Sequence, residues 1–115
     1  MLNQFSRTQL TFGAEAMEKL AASRVIVFGI GGVGGYTVEA LVRSGIGAID
    51  LVDDDKVCLT NLNRQIFALR STVGKYKVDV AEARIKDINP ECKVTTYKTF
   101  YMPDTSDQFD FTQYD

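Results

Sequence analysis

Residues 24–35, Arg-Val-Ile-Val-Phe-Gly-Ile-Gly-Gly-Val-Gly-Gly, constrain the fold more than any other stretch. An apolar, β-branched run without polar alternation leads directly into a glycine cluster. Such a run suits a strand of a parallel sheet, buried on both faces. Gly29, Gly31 and Gly34 follow the spacing G-x-G-x-x-G. The first glycine permits a tight turn, the second lets the backbone approach a phosphate or ribose, and the third lets the next helix pack on the strand. Val38, Leu41 and Val42 then recur at helical spacing, which predicts a helix over 35–43. Ser44-Gly45-Ile46-Gly47 stops it. The start of that helix offers free N–H groups and a positive dipole end to an anion.

The rest of the chain extends this unit. Residues 14–22 carry good helix formers and predict a helix ahead of the first strand. Ala48–Val52 reads as a second strand, ending in the acidic triplet Asp53-Asp54-Asp55. A polar connection runs to Asn63, a short helical piece is expected over 64–69, and a longer helix over 73–88, with Val78, Ala81, Ile85 and Ile88 on one face. Asn89-Pro90 ends that helix, and Lys93–Tyr97 reads as a third strand. The order β-α-β-α-β is the mononucleotide-binding half of a Rossmann-like, doubly wound α/β fold. After Thr99 the pattern fades through Met102-Pro103-Asp104 and 108–111. A three-stranded parallel sheet leaves edge strands with unpaired backbone groups, so the expectation is a single domain, 1–115, cut short at its C-terminal end.

With 115 residues, 45% of them hydrophobic, the chain supports one globular core. Its net charge of −2 lacks the basic face that nucleic-acid binding usually demands, although a basic region elsewhere in a longer protein would supply one. No run approaches the roughly 20 apolar residues of a membrane span, and the N-terminus lacks the features of a signal peptide, so a cytoplasmic location without a membrane partner is expected. There is no histidine, and the two cysteines, Cys58 and Cys92, form no CxxC pair. That excludes a Ser-His or Cys-His nucleophile within these residues and argues against a structural zinc site. Both cysteines read as small half-buried residues.

Glycines also fill turns for purely steric reasons, but Asp53 stands at the expected end of the second strand, about 20 residues beyond them, where a carboxylate accepts from ribose hydroxyls. These two features favour a nucleotide without choosing between a dinucleotide and ATP. The segment from Asp53 to Gln65 reads D-x-D-x-V-x-x-x-N-x-x-R-Q, followed by Val73-Gly74-x-x-Lys77 and Ile88-Asn89-Pro90. It resembles the ThiF/MoeB/HesA superfamily, bacterial relatives of ubiquitin-activating enzymes, from about Phe5 to Tyr97. Gly-Ile-Gly-Gly-Val-Gly, Ser44 to Ile49, Asn63-Arg64-Gln65-Ile66 and Ile88 to Cys92 are most similar to its tRNA threonylcarbamoyladenosine dehydratase branch.

The resemblance implies adenylation of a carboxylate by ATP with Mg²⁺ in a homodimer. The carboxylate belongs either to a modified tRNA base, which then cyclises with loss of water, or to a ubiquitin-like sulfur carrier. It implies an ATP-binding set of Gly29, Gly31, Gly32, Gly34, Asp53, Asp55, Asn61, Arg64, Gln65 and Lys77, with Arg64, Lys77 and Arg7 catalytic. Arg64 offers a planar fork to phosphate oxygens and Lys77 a point charge. Asn61 donates an amide to phosphate, Asp53 holds the ribose, and Asp55 stands near Mg²⁺ or a phosphate-binding side chain, while Asp54 faces solvent. The family's metal-holding aspartate follows the next strand, so no metal ligand is assigned within these residues, and the stretch 1–115 alone is expected to be inactive. Arg7 either reaches the partner's γ-phosphate or is an ordinary exposed arginine. Taken singly, Lys77 would be a solvated helix lysine, Arg64 a surface ion-pair partner, and the aspartates an acidic loop. An NAD-dependent oxidoreductase and a non-catalytic nucleotide-binding module remain alternatives.

Overall fold

The computed structural model describes residues 3–100, 107 and 109–115; Met102-Pro103-Asp104 and Gln108 lie outside them. Helices α1 (Ser6–Phe12) and α2 (Ala14–Ala21) precede β1 (Arg24–Phe28), α3 (Gly32–Ser44), β2 (Ala48–Val52), α4 (Lys77–Ile88) and β3 (Lys93–Tyr97). The three strands form one parallel sheet in the order β1-β2-β3; Ala48 of the central strand stands opposite Arg24 on one side and Lys93 on the other, and Val52 opposite Phe28 and Tyr97. This is the expected β-α-β-α-β unit of the Rossmann-like fold.

Alternation along the strands divides the side chains between two faces. Val27, Ile49 and Leu51 pack with Val38 and Val42 of α3 and with Val78, Ala81 and Ile85 of α4 in a single core. Both helices therefore cover the same face. The other face carries Arg24, Ile26, Phe28, Asp50, Thr95 and Tyr97, and Phe28 is 41% exposed. The expectation that β1 is buried on both faces is thus corrected: only β2, the central strand, is buried along nearly its whole length. Part of the second face is covered by residues 109–115. Phe109 packs edge-on against Phe28 and Tyr97. Tyr114 donates its hydroxyl to Asp50 at 2.7 Å. Arg24 donates to both carboxylate oxygens of Asp50, at 3.1 and 2.7 Å, and so neutralises a side chain that is 1% exposed. Burial, and next the bond to Asp50, raise the Tyr114 hydroxyl far above its ordinary range.

Two element starts differ from expectation, those of α3 and α4, while the helix expected over 14–22 stands as α2 with a further helix, α1, ahead of it. Gly13, at a φ of +89°, separates α1 from α2. Helix α3 begins at Gly32, with Gly31 as its cap, so the later glycines of the fingerprint are helical. Helix α4 begins at Lys77 because residues 73–76 serve another purpose. The amides of Gly74 and Val57 bond the carbonyls of Val57 and Lys75, and Lys56 bridges Tyr76 in antiparallel fashion. The helix expected over 64–69 is absent. Short 3₁₀ turns flank that segment at Leu59–Asn63 and Arg70–Thr72, because Asn61 and Thr72 side chains accept the amides of Cys58 and Leu69 at 2.9 and 2.8 Å. Such local acceptors compete with helix continuation.

Candidate functional site

The C-terminal ends of β1, β2 and β3 open into a cleft of about 430 Å³ lined by Phe28, Gly29, Gly31, Val52, Asp53, Asp55, Lys77, Thr99 and Phe100. Ligands of open parallel sheets bind at this end of the strands. Gly29, at φ +86°, makes the turn out of β1. A Cβ on Gly34 would overlap the Gly29 carbonyl oxygen, so the third glycine of the fingerprint sets the approach of α3 to the loop.

Asp53 braces this loop. Its Oδ2 accepts the Ile30 amide at 2.7 Å and its Oδ1 the Asp55 amide at 2.8 Å. Each oxygen keeps a second lone-pair direction for another donor. Lys77 is only 7% exposed although it opens α4, at the positive end of the helix dipole. Its ammonium stands 4.0 Å from Asp55 Oδ2. Among the described residues this is its one carboxylate partner. A buried cation so placed favours further negative charge, and the reading of Lys77 as a solvated helix lysine is overturned. The carboxylates of Asp53, Asp54 and Asp55 lie within 4.8 Å of one another, but both oxygens of Asp53 hold backbone amides and Asp55 faces Lys77. Of the two places expected for Asp55, the one beside a cationic side chain matches its position next to Lys77.

Other expected residues stand outside the cleft lining. Asn61 is 8% exposed, and its side-chain oxygen caps the Cys58 amide, leaving the NH₂ group for a ligand. Arg64 is exposed and donates to Thr60 O at 3.2 Å and to Asn63 Oδ1 at 2.9 Å; no carboxylate pairs with it among the described residues. Gln65 lies against the glycine loop, its Nε2 3.7 Å from where a Gly31 Cβ would stand. Gly32 has open space around it. Arg7 lies exposed on α1, away from this cleft. The neighbouring Phe5 packs against Gly45 and Gln4 donates to Ile88 O at 2.7 Å, at the opposite end of the strands. Sequence reasoning missed Phe28, Val52, Thr99 and Phe100; their signal was their place at or just beyond strand ends.

A family model described as ThiF family matches residues 5–115. The chain belongs to the ThiF family. Among ThiF-family relatives, it is 57% identical over 109 residues to the tRNA threonylcarbamoyladenosine dehydratase of Bacillus subtilis, covering 95% of this chain and 43% of that protein. It is 49% identical to the Escherichia coli protein of that name, covering 92% of this chain and 40% of that protein. The E. coli dehydratase solved with ATP superposes with a TM-score of 0.89 at 50% identity, over 91% of this chain and 43% of that one. The same protein solved with AMP gives 0.93 at 48%, over 96% of this chain and 45% of that one. The chain thus spans under half the length of these ThiF-family proteins.

Proposed function

We propose that this chain is the nucleotide-binding part of an ATP-dependent adenylating enzyme, and that the carboxylate it activates is that of threonylcarbamoyladenosine in tRNA. The observation that carries the nucleotide reading is Lys77: a buried ammonium, set at a helix start and open to a cleft beside a glycine turn and Asp53. ATP fits this donor set. Asp53 accepts from the ribose hydroxyls, the α3 start faces the phosphates, and Lys77 supplies positive charge. The dehydratase relatives, at 57% and 49% identity, support the substrate; HesA of Trichormus variabilis stands at 38%.

In the reaction, a carboxylate oxygen attacks the α-phosphorus of ATP, the bond to the β-phosphate oxygen breaks, and pyrophosphate leaves with that electron pair. Charge neutralisation and alignment are what the protein supplies. Lys77 and Arg64 neutralise phosphate charge, and Asp55 orients Lys77. Mg²⁺, when bound, would add Lewis-acid polarisation of the phosphates. The acyl-adenylate then cyclises on the base side chain and releases AMP. The active protein is proposed to be a cytoplasmic homodimer in which Arg7, remote from its own cleft, serves the partner's.

The test is ATP–pyrophosphate exchange by the full-length protein, with tRNA carrying threonylcarbamoyladenosine, with unmodified tRNA, and with a ubiquitin-like carrier. Exchange stimulated by the modified tRNA alone is expected. Stimulation by the carrier alone would replace the tRNA reading, and a thermal shift with NAD but not ATP would remove adenylation altogether.

A further inference from the structure

We propose that Glu39 and Arg84, which touch no part of the cleft, are positioning residues that hold the Arg64-Gln65 segment against the glycine loop. The proposal rests on the adenylation reading above. Residues 64–69 form no helix or strand; turn bonds to Asn61 O and between Thr72 Oγ1 and Phe67 O tie the segment to its neighbours in sequence, and its seat against the rest of the fold is made by side chains, Phe67 foremost. Phe67 is 4% exposed and belongs to the main core, and two of its neighbours bear on its orientation. One is α3, where a methyl on Gly35 would stand 3.6 Å from the Phe67 ring and 3.3 Å from Ile66. The other is the Arg84 guanidinium of α4, 5.8 Å from the ring centroid.

Arg84 is in turn fixed by Glu39 of α3, a carboxylate only 8% exposed. Its Nε stands 3.0 Å from both carboxylate oxygens and its Nη2 2.8 Å from Oε1. Arg43 adds a contact of 3.1 Å to the same Oε1. A planar guanidinium gripped in this way has one orientation. Phe67 sits two residues from Gln65 and three from Arg64. Displacing the ring therefore moves both residues relative to Gly31, which lines the cleft. Glu39 and Arg84 tie α3 to α4, the two helices whose first turns carry the glycine loop and Lys77, so the clamp gathers three parts of the phosphate site at once.

The experiment uses the full-length protein and the exchange assay, run well below each variant's melting temperature. Arg84→Met is made in the parent and in an Arg64→Ala/Gln65→Ala background. In the parent, kcat is expected to fall on the order of 10- to 100-fold, as for a small misplacement of reacting groups, with KM for ATP little changed. In the doubly substituted background the same change is expected to cost under about 3-fold, because residues acting as one unit are non-additive. Arg84→Lys, which keeps charge but loses the planar grip, serves if Arg84→Met does not fold. Equal proportional losses in both backgrounds would reduce the pair to a structural clamp and overturn the proposal. Unchanged kcat in the parent would overturn it too. Absence of exchange by the unsubstituted protein would instead strike the adenylation reading, and the positioning role would fall with it.

Discussion

Asp53 has two duties, and its removal separates them. Asp53→Ala deletes the acceptor of two backbone amides and the proposed ribose partner together. Affinity for AMP is expected to fall roughly tenfold or more, since one charge-assisted bond contributes about 1.5–3 kcal/mol, and calorimetry on the full-length protein checks it. Unchanged affinity would leave Asp53 as a loop brace only. Lys77→Ala should reduce exchange far more than it weakens adenosine binding, because its charge acts on the phosphates; equal losses in both measurements would remove it from the phosphate site. The fingerprint glycines are unequal as well. Gly34→Ala forces the backbone apart against the Gly29 carbonyl and should lower stability by about 2–3 kcal/mol. Gly32→Ala, in open space at the first residue of α3, should raise it by about 0.5 kcal/mol by narrowing the unfolded ensemble. Denaturant titration reads both signs.

Between elements, the Glu39 contact joining α3 to α4 carries a pH dependence whose sign is fixed by its surroundings. Burial pushes this carboxyl upward, but the bonds and charges of Arg84 and Arg43 outweigh it and hold the group below its ordinary value of 4.5. A depressed carboxylate contributes stability that is present above its unfolded value and lost as pH falls through its folded one. The melting temperature should therefore drop more steeply below about pH 4.5 than it does in Glu39→Gln, and parallel curves would refute this. These same elements show what the sequence could reveal. All three strands, with their limits, were legible because short β-branched runs between glycines and turn residues admit few alternatives. The start of α4 was not. Val73-Gly74 reads as a helix opening, and nothing local announces that the Gly74 amide and the Lys75 carbonyl are taken by Val57, far back in the chain. The segment 64–69 failed partly on local bonds, to Asn61 and Thr72, and partly on distant packing against Gly35 and Arg84. Within the site, Gly29, Gly31, Asp53, Asp55 and Lys77 were legible as motif residues. The buried state of Lys77 and the brace from Asp53 to the Ile30 amide needed three dimensions.

At the level of the whole molecule, the cleft and α1 occupy opposite ends of the sheet. If Arg7 serves a neighbouring subunit, full-length Arg7→Ala and Lys77→Ala proteins, each inactive alone, should regain activity when subunits exchange, up to about a quarter of the parent level for random pairing. No recovery despite proven exchange would return Arg7 to the ordinary surface. The sheet itself is asymmetric, with helices on one face and the Arg24–Asp50–Tyr114 knot on part of the other. β2 is flanked by a strand on each side, and its Ile49 and Leu51 are 0% exposed, so its amides can meet deuterium only when the entire core opens. Among the described residues β3 has a strand neighbour on one side alone, and its residues are half-buried or exposed. In heavy water the molecule should therefore label from its rim inward, with 49–52 the last stretch to gain mass and 93–97 well ahead of it.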